Sequence, residues 1–383
     1  MAFSDTSNPE MAEDQALAAA REEQIYVAPQ WKLMWWRFRK HKVAVASTVV
    51  IVLFYLVGIF CEFLAPYDPF DYSIVYTYAP PQTIHFVDGS GFHLRPFVYG
   101  LQPRRDPDNL QMIYVVDKEA RYPIYFFVHG ASYKLWGLFQ TDLHLLGIKD
   151  PGGTMFLCGS DRKGRDVLSR VVYGTRISMS IGLVGVALSL ILGIAIGGVS
   201  GYYGGRIDDL IQRMIEFLRS IPSIPLWMSL SAALPPHWPA VRIYFGITVI
   251  LSLIGWTGLA RVVRGRFLAL REEDFIMAAR LVGAGEMRII GQHMVPSFMS
   301  HIIASITLSI PDMILSETAL SFIGLGLRPP IVSWGVLLQE AQNVQAVMAA
   351  PWLFIPGIFV IVVVLAFNFM GDGLRDAADP YSR

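Results

Sequence analysis

Six stretches of this chain approach the roughly 20 apolar residues that a helix needs to cross a lipid bilayer, and no other feature limits its fold so tightly. They cover residues 43–64, 177–202, 207–234, 243–259, 298–323 and 351–370. Hydrocarbon holds no water, so a spanning segment must satisfy its own backbone N–H and C=O groups, and the helix does so locally. Composition agrees: 54% of the residues are hydrophobic and 16% charged, and the mean hydropathy is +0.45, too apolar for an ordinary soluble domain. The expected fold is an all-α polytopic membrane protein with six transmembrane helices. A formal net charge of +0 gives no reason to expect nucleic acid; the lipid bilayer is the partner that composition demands. Cys61 and Cys158, one inside an apolar run and one outside, imply no disulfide framework. No apolar run precedes residue 43, so no cleavable signal peptide is expected.

Charge placement orients the spans. Residues 31–42, WKLMWWRFRKHK, mix aromatic rings with cations, the composition of an interfacial anchor on the positive side of a membrane. The loop after residue 259 carries Arg261, Arg264, Arg266, Arg271, Arg280 and Arg288, whereas the short loops expected opposite carry little beyond Arg242 and Arg328. The positive-inside rule therefore puts both termini and this loop in the cytoplasm. The resulting division is a polar cytoplasmic tail with a short helix (1–30), an interfacial segment and first span (31–66), an extracytoplasmic insertion (67–160), and a core of five further spans (161–383).

The insertion is rich in aromatic and β-branched residues and reads as a small β-rich domain. QMIYVVD (111–117) and YPIYFFVH (122–129), separated by KEAR, predict a hairpin. In the second span Gly193, Gly197, Gly201 and Gly205 recur at intervals of four, a ladder along which another helix can approach closely. Pro222 and Pro225 predict a kink in the third span, bordering a cavity or simply packed against protein. Residues 324–350 read as an outer re-entrant or surface segment.

The longest polar passage of the second half is 271–296, REEDFIMAARLVGAGEMRIIGQHMVP. Glu272, Glu273 and Asp274 suit the positive end of a helix dipole. Phe275, Ala278, Ala279 and Val282 then share one helical face, Gly283 suits a left-handed cap, residues 286–292 allow a second short helix, and Pro296 opens the next span. Taken alone this is either a docking element or an amphipathic helix resting on the membrane. Its order A-A-R-x-x-G-A (278–284) and R-I-I-x-x-H-x-x-P (288–296) resembles the EAA loop of ABC importer permeases, closest to the dipeptide/oligopeptide/nickel branch. CGSDRKGRDVLSRVVYGTRIS (158–178), ETALSFIGLGLRPPIVSWGVLL (317–338) and PWLFIPGIFVIVVVLAFNFMGDGLRDAADP (351–380) resemble other passages of the same permeases. The likeness covers 31–69 and 157–383.

What the resemblance implies is a type I importer permease subunit in a bacterial inner membrane. It would pair with a homologous permease, two ABC ATPase subunits that bind ATP and Mg, and an extracytoplasmic substrate-binding protein, and would import peptides by alternating access. The same machinery in relatives takes oligosaccharides, opines or nickel chelates. The coupling loop to the ATPase would comprise Glu273, Asp274, Met277, Ala278, Ala279, Gly283, Arg288, His293 and Pro296. Where the family usually places a glutamate this chain has Met277, and Glu273, one turn earlier, is the acid expected to take over part of that contact.

No Walker A pattern, H-E-x-x-H pair or G-x-S-x-G elbow occurs, so neither ATP hydrolysis, a metal site nor another catalytic centre has support in this chain. Asp312 and Glu317 are acids within an apolar run, where a carboxylate is costly unless it faces a polar cavity or a partner. Both are pathway candidates, with Ser316, Pro222 and Asn368; for Glu317 a buried hydrogen bond between helices is the alternative. A membrane enzyme using Asp312 and Glu317 as an acid pair, or a scaffold displaying the insertion, are the readings of another class.

Overall fold

The computed structural model describes residues 30–89, 91–105, 112–235 and 237–378; the tail expected over 1–30 lies outside them but for its last residue. Helix α1 (Gln30–Lys40) ends in Arg37, Arg39 and Lys40, and the His41 imidazole then caps α2 (Lys42–Ile59) by accepting from the Ala44 N–H. A short α3 (Cys61–Leu64) follows. The long helices of the core are α4 (Val167–Tyr203), α7 (Ala240–Leu270), α11 (Met299–Phe322) and α14 (Ile355–Ala378). Among the described residues, five helices are long and apolar enough to span a bilayer: α2, α4, α7, α11 and α14.

The expected third span is not one kinked helix. It is two, α5 (Gly205–Ser220) and α6 (Ser223–Ala232). Pro222 forces the residue before it out of the helical region, and Ile221 accordingly sits at φ −84°, ψ 126°. The sixth crossing survives as a path, because α4 and α7 lie parallel. Ser180 meets Tyr244, the Gly185 carbonyl accepts from Ser252, Gly193 faces Leu259, and Gly201 faces Arg264 and Phe267. Two parallel helices oblige the chain between them to travel back along their length, and α5 and α6 in tandem make that return.

Of the glycine ladder, Gly193, Gly197 and Gly201 lie against α7: a Cβ on Gly201 would stand 2.7 Å from the Arg264 carbonyl, and one on Gly197 would collide with the Ala260 backbone. Gly205 does not belong to it. It starts α5 at φ +55°, and a Cβ there meets nothing.

At one end of the bundle Met34 and Phe38 of α1, with Ala44 of α2, pack on Ala377 at the end of α14. The 271–298 loop lies at this same end, with Phe267 and Phe298 in edge contact at 5.8 Å. The insertion caps the opposite end. Strands β1 (His85–Asp88), β2 (Gly91–Arg105) and β3 (Met112–Pro123) form one antiparallel sheet, and β4 (Tyr125–Leu135) with β5 (Phe139–Gly147) a second. The hairpin expected across KEAR is therefore absent. Lys118, Glu119 and Ala120 form a bulge inside β3, since Tyr99 pairs with Arg121 but Gly100 with Asp117. The Asp117 carboxylate stabilises the bulge by accepting from the Glu119 and Ala120 N–H groups. Residues 324–350, expected as re-entrant or surface, fold back into the bundle at one point: Trp334, at the start of α12 (Trp334–Leu338), is fully buried and donates from its indole N–H to the Val171 carbonyl, and α13 (Val344–Ala349) follows.

Candidate functional site

The polar loop is built as a helix, a left-handed cap and a broken second helix. Helix α8 (Asp274–Leu281) starts at Glu273, whose carbonyl accepts from the Ile276 and Met277 N–H groups. Asp274 occupies its first turn, where the helix dipole favours an anion. At its end the Ala284 N–H reaches the Ala279 carbonyl and the Gly283 N–H the Arg280 carbonyl, a Schellman closure that holds Gly283 at φ +83°. The second segment is α9 (Glu286–Arg288), a wide turn through Met294, and α10 (Val295–Ser297).

Ile276 is fully buried with Ile289 and Met294, and Ala279 packs beside them; these contacts seat the loop on the bundle. Phe275, Ala278 and Val282 share the outward side, so the expected apolar face is divided: Ala279 turns inward and the other three outward. Leu281, Val282 and Met287 are 89%, 88% and 82% exposed, with Met277 and Phe275 half-exposed beside them. Glu272, Glu273 and Asp274 rim this patch in solvent. Arg288 donates to the Gln292 side chain at 3.1 Å, His293 is half-buried, and Pro296 is exposed.

Two tyrosines that the sequence reading passed over tie the loop to the end of α4. The Tyr203 hydroxyl donates to Glu286 at 2.5 Å, and the Arg280 guanidinium lies 5.3 Å from the Tyr202 ring. Nearby, Arg264 of α7 grips Asp208 of α5 with two hydrogen bonds of 2.5 Å, and Ser200 of α4 donates to the same carboxylate. The signal for this cluster was visible only as isolated polar residues at helix ends.

A second polar locus lies midway along the bundle. Ser309, Asp312 and Ser316 follow one another along a face of α11 and line a cleft of about 230 Å³ with Ser189 of α4 and Ser223 and Trp227 of α6. Asp312 is exposed there. The Ser189 hydroxyl and the Trp227 indole N–H are buried and have no hydrogen-bond partner among the described residues. Pro222 does not line the cleft; its break places Ser223 at the edge. Asn368, half-buried on α14, is not among the lining residues.

Glu317 lies elsewhere. It is fully buried and accepts from the Ser321 and Ser333 hydroxyls at 2.8 and 2.9 Å, fastening the re-entrant segment to α11. Neighbours within this chain enclose it, the arrangement that the alternative reading, a buried bond between segments, expects. Asp312 opens to the cleft while Glu317 is sealed, so the two do not form an acid pair.

The profile of the family described as "binding-protein-dependent transport system inner membrane component" matches residues 190–383. A second, the "N-terminal TM domain of oligopeptide transport permease C", matches residues 29–81. The dipeptide transport system permease protein DppC of Bacillus subtilis (strain 168) is 38% identical over 227 residues, 59% of this chain and 68% of the relative. The oligopeptide transport system permease protein OppC of Haemophilus influenzae is 38% identical over 245 residues, 64% of this chain and 76% of the relative. Among solved structures, an inward-facing MetNI methionine ABC transporter aligns with a TM-score of 0.41 at 18% identity, over 55% of this chain and 97% of its own.

Proposed function

The chain belongs to the inner membrane components of binding-protein-dependent transport systems, and on that premise we propose that it is a peptide-importing permease subunit whose 271–296 loop is the seat of an ATPase. The observation that carries this reading is the loop itself: a capped helix, locked to the bundle by Ile276, Tyr202 and Tyr203, that presents Leu281, Val282 and Met287 to solvent. An exposed apolar patch with a charged rim on a rigid mount is what a protein partner requires. Because Met277 stands where an acid is usual, the contact here rests on packing, with Glu273 and Asp274 at its margin.

Two ABC ATPases bind ATP and Mg, a homologous permease completes the pathway, and a binding protein delivers substrate to the end capped by the insertion. The loop end, with α1 and the end of α14, is cytoplasmic, and the membrane is a bacterial inner membrane. The stripe Ile207, Leu210, Met214 and Phe217, exposed along α5, supports the pairing with a second permease. Closure of the ATPases on ATP shifts the spans between inward- and outward-open states, and only loop contacts that differ between those states do this work. The Asp312 cleft lies on the route, and relatives named as dipeptide and oligopeptide permeases support peptides as cargo.

The test is made with the whole transporter. Leu281→Asp with Val282→Asp is expected to abolish co-purification of the ATPase while leaving the permease folded, because both side chains are solvent-exposed. Retained ATPase would overturn the docking reading. Vesicles holding the intact complex and its binding protein should accumulate di- or tripeptides with ATP; ATP turnover without peptide uptake would overturn the substrate class alone.

A further inference from the structure

The β4–β5 hairpin does not extend away from the membrane; it runs back along the end of the first span. His144, which pairs with Val128 in the body of the hairpin, hydrogen-bonds the Ala65 carbonyl through Nδ1 at 2.7 Å. Nearer the tip, Trp136 lies 5.8 Å from Phe60 and donates from its indole N–H to the Ile59 carbonyl at 2.8 Å. The contacts thus step from Ala65 back to Ile59 as the hairpin approaches its turn. Ile59 is the last residue of α2, an 18-residue helix, whose length of about 27 Å is close to the roughly 30 Å of bilayer hydrocarbon. The turn therefore sits at the depth where hydrocarbon gives way to headgroups.

Its chemistry fits that depth. Leu135-Trp136-Gly137-Leu138-Phe139 carries no charge, and Trp136, Leu138 and Phe139 are 48%, 76% and 62% exposed. The turn is tight: Trp136 and Gly137 both have positive φ, and the Leu138 N–H closes onto the Leu135 carbonyl at 3.0 Å. Water gains nothing from three large apolar side chains on a rigid tip, and Trp beside a span end is the residue of the membrane interface. The patch also continues an apolar surface: Leu53, Leu56 and Ile59 of α2 are exposed as well.

We propose that residues 135–139 are seated in the outer leaflet as a lipid anchor, so that the insertion is held to the bilayer as well as to the spans. The proposal uses the membrane embedding of α2, takes its leaflet from the cytoplasmic placement of the loop proposed above, and is independent of what is transported.

The complete transporter, with Cys61 and Cys158 replaced by alanine, is spin-labelled at Leu138→Cys or at Lys118→Cys, an exposed strand position used as the aqueous control. Both are measured in phosphatidylethanolamine–phosphatidylglycerol vesicles. The label at 138 should be relaxed several-fold more by oxygen, which partitions into lipid, than by a water-soluble nickel chelate, and the label at 118 the reverse. Equal nickel access at the two positions would overturn the proposal, placing the tip in water. Shielding of 138 from both agents would overturn it in favour of a protein partner. Brominated lipids read the same point without a label: Trp136→Phe should remove a quenchable share of the fluorescence, and an unchanged quenched share would count against the anchor.

Discussion

At Gly283 the polar loop depends on a backbone conformation and not on a lack of space, since a Cβ there meets no atom within 4 Å. Valine at φ +83° strains the backbone by about 1–2 kcal/mol, enough to unwind the Schellman closure locally without unfolding the bundle. Gly283→Val is expected to keep ATP hydrolysis and lose peptide uptake in reconstituted vesicles, while Gly283→Asn, which tolerates that conformation, keeps both. An unchanged ratio of uptake to hydrolysis in the valine variant would remove the cap from the coupling path. Glu317 makes the opposite case. Glu317→Gln preserves an oxygen acceptor for Ser321 and Ser333 and should alter uptake and melting temperature little. Glu317→Ala strands two buried hydroxyls at about 1–3 kcal/mol and should lower the melting temperature of the detergent-solubilised complex first; loss of uptake at unchanged stability would return Glu317 to the pathway. The sequence marked both residues but left Glu317 between two roles, because an acid in an apolar run looks the same whether a cavity or two serines receive it. Ile276 escaped notice for the converse reason: one isoleucine among apolar neighbours does not say which side faces inward.

Between helices, α4 and α7 give a sharper contrast. Gly197→Ala drives a Cβ into the Ala260 backbone, whereas Gly198→Ala meets only the Phe267 ring at 3.4 Å. The first should cost about 1–3 kcal/mol by overpacking, and the second should be neutral or gain up to about 1 kcal/mol of helix propensity. Thermal melts of the two variants check this, and equal melting temperatures would mean that the helices do not pack as closely as the structure has them. Glycines four apart carried this contact legibly, because spacing reports a helix face. The broken third span and the β3 bulge were not legible as such. A proline fixes a break without saying how far the chain re-aims, and KEAR is a turn or a bulge according to whether Asp117 folds back on its own backbone.

For the whole molecule, the insertion is a unit whose ends return together. Gln82 and Phe156 are joined by two hydrogen bonds, the Gln82 N–H donating to the Phe156 carbonyl and the Phe156 N–H to the Gln82 side chain. Replacing residues 84–153 by a short Gly/Ser linker should leave ATPase co-purification intact and weaken capture of the binding protein. Loss of assembly would make the insertion part of the core. Five of the six expected spans were readable because hydrophobic length acts over whole segments. The two-sheet arrangement of the insertion was not, since strand partners depend on chain distant in sequence. One helix touches the loop, the cleft and the buried tryptophan alike. Among its 37 residues, α4 carries the tyrosines of the loop at one end, Ser189 at the cleft, and Val171, which holds the re-entrant tryptophan, towards the other. A rod of that length, about 55 Å, amplifies rotation: a tilt of about 5° pivoting at the loop end carries the far end sideways by about 5 Å. On the coupling proposed above, a turn of the loop too small to disturb any single contact would be geared up into the displacement of a whole side-chain layer at the end capped by the insertion.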